Sequence, residues 1–305
     1  MSGPVFESHE GAVTGRFSRS WALVKASARV LRVHKRLLVF PLLSMLAGLP
    51  LVVGLTGVTM LGEVLPQARL PGLDLASLRY VAMFLFYLAL YTVVIFFNVA
   101  LVVSTSQILD GAEPSTGHGL REAARRFWAV LGYAAISATV GVLLRMFEER
   151  LPFVNRLVVR IVGAAWAVTT FLVVPVLVHR DVGPVDAVKQ SATMLRATWG
   201  ENLIGNAGIG LVLNLLYTPL ALFFAVSGIV LLAGRAEPTF GGADSFAIAT
   251  VFWSSLAGII LLVLVHAALQ GIYAAALYRH AAALDHHVVA EYFTPELVDG
   301  AFRTK

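Results

Sequence analysis

Six long apolar runs alternate with short charged segments along the chain, and each run is too long to be one element of a soluble core. They are Leu37–Leu61, Tyr80–Val103, Ala129–Phe147, Leu157–Val178, Leu203–Ala233 and Phe246–Leu277. A bilayer core about 30 Å thick is crossed by about 20 helical residues, a length these runs reach or approach. Buried strands extend over about 4–8 residues, and the strands of an outer-membrane barrel alternate with period two. Neither pattern is present in the runs. They predict an all-α fold, a polytopic helical membrane protein with six transmembrane helices.

The segments leading into the first, third and fifth runs carry a helical period of their own. Phe17, Trp21, Val24, Ala28 and Leu31 are spaced 4-3-4-3, with Arg19, Lys25, Arg29 and Arg32 between them. Val185, Val188, Ala192, Leu195 and Trp199 are spaced 3-4-3-4 opposite Asp186, Lys189 and Arg196, and a shorter stripe of Leu120, Ala124, Phe127 and Leu131 lies between. Such spacing puts the apolar positions on one face and predicts three amphipathic helices. They either lie in the cytoplasmic interface, with basic side chains toward anionic lipid, or pack together below the membrane. Val24–Arg32 aligns without a gap with Val188–Arg196, identical at six of nine positions, and the middle segment shares the spacing of Arg125 and Trp128 with Arg196 and Trp199. A threefold repeat of one amphipathic helix plus a helix pair is the expected organisation. Gly183-Pro184 opens the third such helix, and Asp110-Gly111 and Glu113-Pro114 mark turns before the second. The runs lie in one membrane domain, 16–280, between a flexible N-terminal tail, 1–15, and a cytoplasmic C-terminal tail, 281–305.

Composition agrees with the pattern and adds little: 58% of residues are hydrophobic and 13% charged. Charge adds orientation. Sixteen of the 23 lysines and arginines fall in the N-terminal segment, the second and fourth connections and the C-terminal tail. Basic loops stay cytoplasmic, so both termini are expected there, in the plasma membrane. The net charge of +5 is thereby a topology signal and not a nucleic-acid footprint. With no cysteine there is no disulfide or thiolate chemistry. The long N-terminal lead and the absence of a small-x-small cleavage site predict that the first run stays as an anchor.

Polar residues at membrane depth are costly and mark candidate sites. Asn98 lies in the second run, Asn206 and Asn214 in the fifth, and His266 and Gln270, four apart on one face, in the sixth. They form either an intramembrane polar site or hydrogen-bonded glue between helices. Lys25, Arg29, Arg32, Lys35, Arg36, Lys189 and Arg196 form a candidate anionic-lipid surface. Pro41, Pro50, Pro175 and Pro219 are candidate kinks, with Pro219 dividing the fifth run, while His34, His118 and His179 read as solvated edge residues. No HExxH, GxSxG, GxxxxGK[ST] or CxxC motif occurs. Asp285-His286-His287 lacks a third ligand at fixed spacing. The chain is therefore expected to be no enzyme and to hold no metal or cofactor. The expected role is to bind or move a lipid-like molecule, or to scaffold a membrane-protein partner. A small-solute transporter or channel is the alternative.

The stretches His34–Ser44, Phe96–Leu101, Thr170–Val178 with Gly183-Pro184, Ala187–Ser191 and Trp199-Gly200 resemble a family of prokaryotic integral membrane proteins catalogued only as a numbered domain of unknown function. The resemblance spans about residues 15 to 280. It implies a six-span membrane domain and no activity.

Overall fold

The computed structural model describes residues 25–64, 75–150, 153–197, 199–236 and 242–281, and among these every regular element is helical. A helix over 25–33 (α1) and a 3-10 turn at Lys35–Leu38 lead into α2, Val39–Val64. Then follow α3 (Leu75–Leu109), α4 (Thr116–Arg125), α5 (Phe127–Arg150), α6 (Phe153–Thr169), α7 (Val173–His179), α8 (Pro184–Ala197), α9 (Trp199–Ala236) and α10 (Gly242–Ala281). Six stretches are long and apolar enough to cross a membrane: α2, α3, α5, α6 joined to α7, α9 and α10. The protein is a multi-pass membrane protein. α3 is central, packing on α2, α4, α5, α7 and α10. One end of the bundle gathers α1, α4 and α8 with most of the basic residues, and is called the basic end below.

Local sequence explains the turns there. α3 stops at Leu109, and Gly111 takes φ 73°, a left-handed conformation that glycine adopts without a Cβ clash. Ser115 caps α4, its Oγ accepting from His118 N–H at 3.3 Å. Pro184 occupies the first position of α8, where a missing N–H costs nothing.

The fourth span is broken. Thr170–Leu172 interrupt it between α6 and α7, because Pro175 lacks an N–H and its ring crowds the carbonyl four residues earlier. Ser191 of α8 repairs the break: its Oγ donates to Thr169 O at 2.6 Å and accepts from Leu172 N–H at 3.2 Å. By contrast Pro50 and Pro219 sit inside uninterrupted helices. The expectation that Pro219 divides the fifth run is corrected; backbone polar groups in hydrocarbon have no better partner than their own helix.

α1, α4 and α8 pack onto the bundle by faces that keep Leu31 and Leu195 of the expected stripes, with Leu120 and Val188 against the core, but that also turn small residues inward. Ala26, Ser27, Val30 and Leu31 are buried in α1 while Ala28 is exposed, and Ala187, Ser191 and Leu195 are buried in α8 while Val185 is exposed. In α4 the inward residues are Gly119 and Ala123. Phe127 of the expected stripe already belongs to α5, because α4 ends at Arg125. Small residues let backbones approach closely, and that contact decides which face turns inward. Phe17, Trp21 and Val24 lie outside the described residues. Ser27 and Ser191, paired in the sequence match, are both fully buried, as are Leu31 and Leu195 nearly so.

Candidate functional site

α10 is two helices in one by environment. From Ala268 to Tyr278 its side chains are mostly buried in the core, whereas Phe246, Trp253, Leu261 and Val263 are exposed. The outer half packs against α9, whose Leu215, Leu222, Phe223, Ile229 and Leu232 are also exposed. Exposed leucines and phenylalanines in a spanning hairpin face lipid. His266 stands where α10 leaves the core, and there the two helices part to form an open cavity of about 210 Å³. Its walls are Leu213, Asn214 and Tyr217 of α9 and Leu262, Val263 and His266 of α10.

The polarity of this groove is specific. Gln270 Nε2 lies 2.8 Å from His266 Nε2. An amide NH₂ only donates, so that contact is a hydrogen bond when imidazole Nε2 accepts and the ring proton sits on Nδ1. The Asn214 side chain is exposed on the opposite wall and makes no hydrogen bond among the described residues.

Of the five polar positions singled out by sequence, the structure brings three together: Asn214, His266 and Gln270. Asn98 is elsewhere, in the seam of α3 and α10, where its Oδ1 is buried without a hydrogen-bond partner. That oxygen is 3.3 Å from where a Cβ on Gly271 would stand, so glycine lets the two helices close over it. The side chain of Asn206 lies outside the described residues.

A second polar layer, unforeseen in the sequence, ties span ends together at the basic end. His179 is no solvated edge residue: Nδ1 donates to Pro175 O at 2.9 Å, Nε2 is 3.1 Å from Ser106 Oγ, and the ring stacks on Tyr278 at 4.8 Å. Arg279 of α10 pairs with Asp110 after α3 and reaches Ser106 O at 3.5 Å, with its Nε buried and unpartnered. Arg126 donates to Leu177 O and Val178 O, each at 3.0 Å, and pairs with Glu122. Hydrogen bonding from Arg126 and then Arg125 holds the Glu122 carboxyl below its ordinary 4.5, against the opposing effect of desolvation. A run of apolar residues ending in arginine or histidine was the available signal, but a solvated end gives the same one.

Lys25, Arg29, Arg32, Lys35, Arg36 and Lys189 are exposed at the basic end, alongside Arg121 and Arg125. Lys189 is partnered by Asp186 at 3.5 Å, an exposed pair of small consequence. The side chain of Arg196, and all of Asp285-His286-His287, lie outside the described residues.

No curated protein and no solved structure matches this chain. One family does, from the second span onward, leaving α1 and α2 outside the matched part. With residues 77–287 matched, the chain belongs to DUF6159, a family of unknown function.

Proposed function

We propose that this protein is a non-enzymatic lipid-binding membrane protein, which holds a lipid-like molecule in the groove between α9 and α10. The observation that carries the reading is a set of hydrogen-bonding side chains, Asn214 and His266, opening sideways from a hairpin whose neighbouring residues face lipid. A polar group left facing hydrocarbon is costly, so a partner with matching polar atoms is favoured there. Among the described residues, His266 and Tyr217 are the titratable side chains on the groove walls, and no carboxylate or lysine lines the groove beside them. The basic end is assigned to the cytoplasm, where its exposed lysines and arginines attract anionic headgroups by about 1 kcal/mol each. A transporter path through all five polar positions finds less support, since Asn98 is sealed into another seam.

Mass spectrometry of the chain extracted in native lipid discs tests this. One lipid enriched beyond bulk membrane composition, and lost in His266→Leu, is expected. A stoichiometric polypeptide without lipid enrichment overturns the reading in favour of a scaffold built on the α9–α10 hairpin.

A further inference from the structure

We infer that the groove selects a neutral lipid by a carbonyl oxygen held near the middle of the bilayer, not a phospholipid by its phosphate. The inference rests on the groove being a lipid site and adds the class of lipid.

Depth is the first ground. His266 lies thirteen positions from Trp253 and thirteen from Arg279, about 20 Å each way at about 1.5 Å per residue. Arg279 pairs with Asp110 in the turn after α3, so it marks one edge of the apolar layer. Trp253 is exposed on the hairpin, and tryptophan collects at membrane interfaces. His266 is therefore far from both headgroup zones. A phosphate drawn to that depth would leave water with no cation beside it among the described residues, since the described groove walls hold no lysine or arginine.

Chemistry is the second ground. With Gln270 donating to Nε2, His266 presents Nδ1–H as a donor. Asn214, which makes no side-chain hydrogen bond among the described residues, offers amide N–H from the facing wall as well. Two donors flanking four apolar or aromatic walls suit an uncharged oxygen acceptor on an apolar body.

Size is the third ground. A cavity of about 210 Å³ is below the about 300–1,000 Å³ of pockets that enclose a drug-sized molecule. It takes a ring or an ester group and leaves the hydrocarbon tail outside. Leu215, Leu216 and Leu261, all exposed, offer that tail a surface continuous with the membrane. Prenyl quinones and diacylglycerols both supply this combination of a carbonyl head and an apolar chain.

The test uses the full chain in phosphatidylglycerol–phosphatidylcholine nanodiscs, doped in separate arms with decyl-benzoquinone and with dioctanoylglycerol. Lipid retained per protein is measured by mass spectrometry against empty discs. Retention of either probe is expected, the two arms saying which carbonyl source fits. His266→Leu and Asn214→Leu should each lower retention about threefold and together about tenfold, as loss of one and two intramembrane hydrogen bonds implies. Both changes make the hairpin more apolar, so insertion is preserved, and Thr250→Val on the same helix should leave retention unchanged. No retention of either probe above empty discs, or equal retention by the double variant, overturns the inference. Enrichment of phosphatidylglycerol that His266→Leu abolishes also overturns it, while leaving the lipid site standing. A shift from dimer to monomer in the double variant without lipid loss assigns the groove to a second copy and overturns both.

Discussion

Gly119 shows how much a single position can decide. A Cβ there would stand 2.6 Å from Ser104 Oγ and 2.7 Å from Ala100 O, the latter backbone that cannot swing aside. Gly119→Ala should therefore cost about 1–3 kcal/mol by overpacking, read as a lower unfolding midpoint in detergent. Gly117, two positions earlier with open space around it, should respond with the opposite sign, gaining about 0.4–1 kcal/mol as alanine. The Glu122 carboxylate makes a different kind of prediction. Its folded value is depressed, so the stability it contributes is present above its ordinary 4.5 and is lost as pH falls through the lower folded value. Melting curves taken from pH 6 downward should show this acid loss in the native chain and less of it in Glu122→Gln. Four-residue spacing is a local fact, so the shared face of His266 and Gln270 was legible in the sequence, whereas nothing local says that Asn214 stands across the groove from them while Asn98 does not. Sequence reading missed His179, because nothing local says that Ser106 and Tyr278 come to meet it.

Among elements, the six spans were legible from run length alone. That α1 and α8 also turn small residues inward was not. Val185 is the larger apolar residue, yet Ser191 is the one buried, because its hydroxyl completes backbone bonds that the break before Pro175 leaves open. Ser191→Ala should leave Leu172 N–H and Thr169 O unpaired and cost about 1–3 kcal/mol. Ser191→Thr should retain most of that loss if the pocket admits no extra methyl, and circular dichroism melts of both variants give the comparison. The α9–α10 hairpin is distinct again. Only 6% of the most apolar window of each is buried, against 33% for α3 and α5. Backbone amides there depend on helix hydrogen bonds with little tertiary support, so hydrogen exchange in nanodiscs should run faster at 213–232 than at 95–109.

For the whole molecule, the balance of charge and the layout of spans make one orientation expected, with α1, α4 and α8 in the cytoplasm. Replacing Lys25, Arg29, Arg32, Lys35 and Arg36 with glutamine should invert a fraction of chains, as read by accessibility of a tag after residue 305 in sealed vesicles. Retained orientation with weakened binding to phosphatidylglycerol vesicles would separate a lipid-surface role from a topological one. The broken fourth span has a temporal consequence. Synthesis runs from the N-terminus, so residues 169–172 enter the membrane before Ser191 has been translated. Until α8 is made and docks, that span carries an open carbonyl at Thr169 and an open amide at Leu172. Maturation of the bundle is thus coupled to a helix that is synthesised after the span it completes. A chain truncated just before Pro184 should accordingly be held by insertion factors or degraded, where one ending after Ala197 escapes.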